Sequence, residues 1–135
     1  MLAKPANTDY NRGDVEVFVG GVMQQKERHY EFLEPWWSTD GQDAHFHQTF
    51  LAQLTTEVGP GHVMYGLPVR IVGRDGGSDD TLFEILDGSG RFARVHLTWA
   101  RGPERLPWPD TAIYPTFDAF AAEVMIPKNQ DYLEE

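Results

Sequence analysis

Three runs of β-branched and aromatic residues, Leu67–Val72, Thr81–Leu86 and Arg91–Trp99, follow one another with only Gly73–Asp80 and Asp87-Gly88-Ser89-Gly90 between them. No other feature constrains the fold as much. Connections this short leave no room for a crossover helix, so successive strands must pair antiparallel as a β-meander. Side chains alternate along a strand, so in the last run Ala93, Val95, Leu97 and Trp99 share one face and Phe92, Arg94, His96 and Thr98 the other. The first face is assigned to the core. A four-residue turn over 87–90 would set Thr81 opposite His96.

The flanking segments supply helices. Val15–Val19 reads as a short strand between Asp14 and Gly20-Gly21, and Val22–Glu34 reads as a helix that Pro35 ends. Thr39 or Asp40 would cap a second helix over Asp43–Val58, stopped by Gly59-Pro60-Gly61. Phe50, His47, Leu54, Val58 and Leu51, with Ala44 beside them, form its core stripe at helical spacing. Gly102–Pro115, with prolines at 103, 107, 109 and 115, predicts an irregular segment. Thr116 then opens a helix of about ten residues, with Phe117, Phe120, Ala121, Val124 and Met125 as its stripe and Pro127 as its stop.

These elements predict an α+β fold: an antiparallel β-meander of about three or four strands packed against two or three helices. Residues 15–130 form a single domain in this reading, preceded by a flexible arm over 1–14 and followed by an acidic tail over 131–135. The N-terminus lacks the apolar stretch of a signal peptide and no window suits a membrane span, so a cytoplasmic location is expected.

Composition narrows the chemistry. The chain has no cysteine, which excludes disulfides, thiolate nucleophiles and cysteine-ligated metals. Lysines occur only at 4, 26 and 128, so neither a Schiff-base lysine nor a phosphate-cradling Gly-Lys-Ser/Thr loop has a candidate in mid-chain. The formal net charge of -10 repels nucleic acid and anionic lipid and draws basic partners inward, while also serving solubility. No cofactor is implied.

Several motifs carry possible chemistry. On a helix, His45 and His47 would point apart and could not grip one metal ion, so His47 is read as a hydrogen-bonded core residue and His45 as a surface one. His96, beside Arg94 and Thr98, would have Asp79 and Asp80 at the end of the adjoining strand, the pattern of a general base with its orienting carboxylate. His62 with His96 is a weaker metal alternative. The carboxylates of Gly73–Asp80 do not match the alternating spacing of an EF-hand, and Gly59–Gly66 does not match a dinucleotide fingerprint. Trp99 is assigned to core packing. Trp37 and Trp108, next to loop prolines and charges, are candidate anchors for a protein partner, together with Asp75, Asp79 and Asp80.

The blocks Gly59-Pro60-Gly61-His62, Tyr65-Gly66-Leu67, Ser78–Phe83, Arg94–Trp99 and Pro107–Thr111 resemble a family of small uncharacterised bacterial proteins, with Val95-His96-Leu97-Thr98-Trp99 the most specific. The resemblance spans about residues 36–127. It implies one compact cytoplasmic domain and brings no catalytic residue. The expectation is therefore a non-enzymatic acidic binding module, such as an immunity or antitoxin-type inhibitor of a basic enzyme. The alternative is a small hydrolase or metal-dependent enzyme centred on His96, and an accessory protein acting through oligomerisation is a third.

Overall fold

Val19 pairs with Val22, so β1 (Asn11–Val19) and β2 (Val22–Tyr30) form an antiparallel ribbon with only Gly20-Gly21 between them in sequence. The computed structural model describes residues 11–19 and 22–134, with side chains from His29 onward. Of the arm expected over 1–14, residues 1–10 lie outside the described residues, as does Glu135 at the other end.

The helix expected over Val22–Glu34 is replaced by β2. Its charged and apolar residues have no firm 3.6-residue period, and antiparallel pairing with β1 satisfies the backbone instead.

The remaining strands are β3 (Trp36–Ser38), β4 (Val69–Asp75), β5 (Asp80–Ile85), β6 (Phe92–His96) and β7 (Thr111–Tyr114). They form a five-stranded antiparallel sheet in the order β3-β4-β5-β6-β7, so the meander holds and gains an edge strand on each side. β3 is too short to show a period. β7 fits between Pro109 and Pro115, where the proline-rich stretch leaves room for four paired residues.

The register differs from expectation by one residue: Asp80, not Thr81, lies opposite His96. Ladder pairing ends at Glu84 and Phe92, and the Ile85 N–H bonds the Arg91 carbonyl at 3.0 Å. The turn is thus longer than four residues. Gly88 and Gly90 take φ of 85° and 80° in it, a region open to glycine at little cost.

Both faces of the sheet are covered. Ile71, Phe83 and Ala93 lie directly across from one another and meet Phe50 and Leu54 of α1 (Ala44–Glu57). On the opposite face Val72, Leu82, Phe92 and Tyr114 meet Phe117, Phe120, Ala121 and Met125. Burying each large apolar side chain contributes about 1.5–3 kcal/mol before chain entropy is subtracted.

Asp43, not Thr39 or Asp40, caps α1, its side chain accepting from the Phe46 N–H. The expected stripe holds at Phe50, Leu54 and Val58, with His47 half-buried, but its edge differs: Leu51 is 43% exposed and Ala44 is exposed, while Phe46 and Glu57 face inward. Packing against the Phe50–Trp99 ring pair and the bonding of Glu57 outweigh the aliphatic pattern.

At the C-terminus, α2 (Phe117–Phe120) starts at its Thr116 cap and carries the expected apolar stripe. It does not stop at Pro127. A π-type segment over Ala121–Met125 leads into α3 (Ile126–Leu133), with Pro127 in the first turn. The helix runs on through Pro127 because the π-type turn ahead of it, closed by the Ile126 N–H on the Ala121 carbonyl, is wider and makes room for the ring.

Candidate functional site

A groove of about 1020 Å³ runs between the β4–β5 turn, the neighbouring ends of β5 and β6, and α3. Its position follows from two ties: the Asn129 side-chain amide donates to the Glu34 carbonyl at 2.7 Å, and the Leu33 N–H meets the Met125 sulfur at 3.3 Å. These hold the segment before β3 against the C-terminal helix.

Trp37 and Asp75 reach the groove from β3 and β4. Trp36 and Trp37 alternate as strand residues do: Trp36 is buried beneath Phe120, while Trp37, opposite Arg74 in the ladder, has its ring 6.2 Å from Phe46 on the α1 side and is 36% exposed at the rim of the groove. Asp75 is only 3% exposed. Its carboxylate accepts from the Gly77 N–H at 2.8 Å, the Ser78 hydroxyl at 3.2 Å and the Lys128 ammonium. Burial pushes its pKa up, but the Lys128 and Gly77 bonds outweigh this and hold it below the ordinary value. Asp75 is therefore an internal staple joining the turn to α3, not part of an exposed acidic surface.

Asp80 opens β5 and divides its two oxygens. One lies 2.7 Å from His96 Nδ1, and the other accepts from Arg94 Nη1 at 3.3 Å. Arg94 Nε donates to the Tyr114 hydroxyl at 3.1 Å. Burial works against the Arg94 cation, yet Tyr114 and Asp80 more than compensate and raise its pKa. Asp79 does not join this cluster: it pairs with Arg74 at 3.5 Å, and Arg74 lies over the Phe50 ring on the α1 side of the sheet.

With Asp75 matched to Lys128 and Asp80 to Arg94, both cations of the groove are engaged. Glu34, Glu123 and Asp131 also line it, and among the described residues none of the three makes an ion pair. Pro35, Pro127 and Tyr132 complete an apolar wall. The free charge of the groove is negative, and its concave, partly apolar walls focus that field.

The other expected residues lie elsewhere. Trp108 is 52% exposed but outside the groove. His62 is buried, with Nε2 donating to the Pro109 carbonyl at 2.9 Å and Nδ1 accepting from the Met64 N–H at 3.0 Å. Neither of its nitrogens has a lone pair free for a metal. Among the described residues no cluster of three or more His, Cys, Asp or Glu is arranged to hold a metal ion. His47 bonds the Thr39 carbonyl at 3.0 Å and His45 is exposed. Trp99, expected in the core, is exposed because β6 ends at His96 and Trp99 takes φ of 60°, breaking the alternation.

The Asp80–His96 contact orients an imidazole whose side chain is 49% exposed and whose Nε2 has no hydrogen-bond partner among the described residues, an arrangement a general base could use. No hydroxyl bonds His96 among the described residues, and His96 does not line the groove. Sequence reasoning missed Glu34, Glu123, Asp131 and Tyr132. Glu123, Pro127 and Asp131 repeat every fourth residue, as do Val124, Lys128 and Tyr132, and that period would have shown the groove-facing side had Pro127 not been taken as a stop.

No described helix is long and apolar enough to cross a membrane. Set against family models, curated proteins and solved structures, the chain has no match in any of the three.

Proposed function

We propose that this protein is a non-enzymatic acidic binding module that acts in the cytoplasm, as an immunity or antitoxin-type inhibitor of a basic enzyme does. The observation that carries this reading is the groove: Trp37, Asp75 and Asp80 come together there, and its uncompensated charges, from Glu34, Glu123 and Asp131, are all negative. A net charge of -10 adds long-range steering of a cationic partner, and exposed tryptophans supply anchors of the kind that dominate binding energy.

The test is capture of partners by the tagged full chain from lysate of its source organism at low and high salt. A single captured basic protein would then be titrated against the wild type and Trp37→Ala. Stoichiometric binding weakened by salt and by the substitution supports the module. Binding indifferent to both would rule out this mechanism.

A second reading, a small hydrolase or metal-dependent enzyme, is favoured by one observation, the 2.7 Å contact between His96 and Asp80. An activity found in screening that survives His96→Ala would eliminate it.

A further inference from the structure

We infer that the groove binds an extended, arginine-bearing segment of the partner, with Tyr132 on its wall and Trp37 at its rim as the aromatic groups beside the guanidinium and Glu34, Glu123 and Asp131 accepting its hydrogen bonds. This rests on the binding-module reading and deepens it by naming the chemistry of what docks.

Size is the first argument. About 1020 Å³ is just above the range for small-ligand sites, ~300–1,000 Å³, and offers room for several residues rather than one side chain. Charge is the second. Lys128 is committed to Asp75, and Arg94 to Asp80 and Tyr114, so an anionic ligand would find its cations engaged and three carboxylates facing it. A cation meets the opposite situation. It satisfies carboxylates that among the described residues have no ion partner.

Ring chemistry selects arginine over lysine. The guanidinium is planar, stacks on tryptophan and tyrosine, and forks onto carboxylates, whereas a lysine ammonium is compact and strongly hydrated. Tyr132 is exposed on the groove wall, and Trp37 stands exposed at its rim with its ring toward Phe46. The turn beneath them is held by the Asp75 bonds and by the Gly76 N–H on the Pro35 carbonyl at 2.7 Å, so the groove is formed before anything enters it.

The experiment titrates the full chain with blocked hexa-arginine, hexa-lysine and hexa-glutamate peptides, followed by amide NMR shifts and tryptophan fluorescence. Hexa-arginine should bind with shifts centred on Trp37, Gly76, Glu123 and Tyr132. Hexa-lysine should bind about fivefold more weakly and hexa-glutamate not at all. Asp131→Lys should weaken hexa-arginine about fivefold or more, while Asp118→Lys, an equal charge change on α2 outside the groove, should have little effect. Circular dichroism confirms that both variants fold.

The inference is overturned if the two reversals weaken binding equally, which would mean a whole-molecule field, or if hexa-arginine leaves groove amides unshifted. A captured basic partner that binds Asp131→Lys as well as wild type would also overturn it, leaving the binding-module reading intact. Arginine-selective binding in the groove with no basic protein captured would uphold the groove and overturn the module.

Discussion

Glu57 Oε2 accepts the backbone N–H of Trp99 at 2.8 Å, joining the last turn of α1 to the chain just beyond β6. Glu57 is 0% exposed and also accepts from the Thr98 N–H at 3.0 Å and the Gln53 amide at 2.7 Å, while the Thr98 hydroxyl, with one proton to give, lies between the Glu57 and Glu104 carboxylates. Its own carbonyl takes the Glu104 N–H at 2.9 Å. A buried carboxylate costs stability unless it is bonded in this way.

Glu57→Ala should therefore cost about 2–3 kcal/mol, because the part-buried Thr98 and Trp99 N–H groups lose their acceptor and a fully buried side chain is removed. Glu57→Gln, which keeps one acceptor oxygen, should cost less. Urea unfolding measures both. Equal and negligible losses would show that the segment 98–104 is held by something else.

The Asp75–Lys128 staple makes a pH prediction. Asp75 has its pKa lowered on folding from the ordinary 3.8, so its contribution is fully present above that value and is lost as pH falls through the lower folded value. Asp75→Asn should remove this part of the acid dependence of stability. Lys128 is 42% exposed at its side chain, so Lys128→Met should cost only about 1–2 kcal/mol. A mutant whose stability follows the same acid curve as wild type would contradict the assignment.

Gly76 tests the turn beside the groove. A Cβ there would lie 2.8 Å from the Pro35 carbonyl oxygen, which is backbone and cannot swing aside. Gly76→Ala should lower stability by about 1–3 kcal/mol. At Gly41 a Cβ would meet nothing within 4 Å, so Gly41→Ala is the matched control. Thermal melts that place the two variants together would refute the close approach.

The histidines should differ in tautomer. His62 takes the Met64 N–H on Nδ1 and donates from Nε2, while His96 directs Nδ1 to Asp80. Nitrogen-15 NMR of the neutral protein should show His62 as the Nε2–H form and His96 as the Nδ1–H form. Asp80→Ala should release the preference at His96 alone.

Much of the fold was legible locally. Turn glycines and alternating residues marked the meander, and Phe117, Phe120, Ala121 and Met125 marked the C-terminal stripe, because spacing along one element decides which side chains share a face. The site was legible only in part. Trp37 and Asp80 do line the groove, but Asp79, on the next residue, turns to Arg74 on the other face. The helix expected at Val22 became β2, since strand pairing is a long-range choice that a weak local pattern does not express.

The amino-acid sequence by itself determined an acidic α+β chain without cysteine chemistry, and the antiparallel order of its central strands, because charge, composition and short turns are properties of neighbouring residues. Only the tertiary structure decided that Asp75 is internal, that Glu57 turns inward, and that Glu34 meets Glu123 and Asp131 across one groove. Those relationships join segments distant in the chain, and their energies come from burial and pairing that arise only once both faces of the sheet are covered.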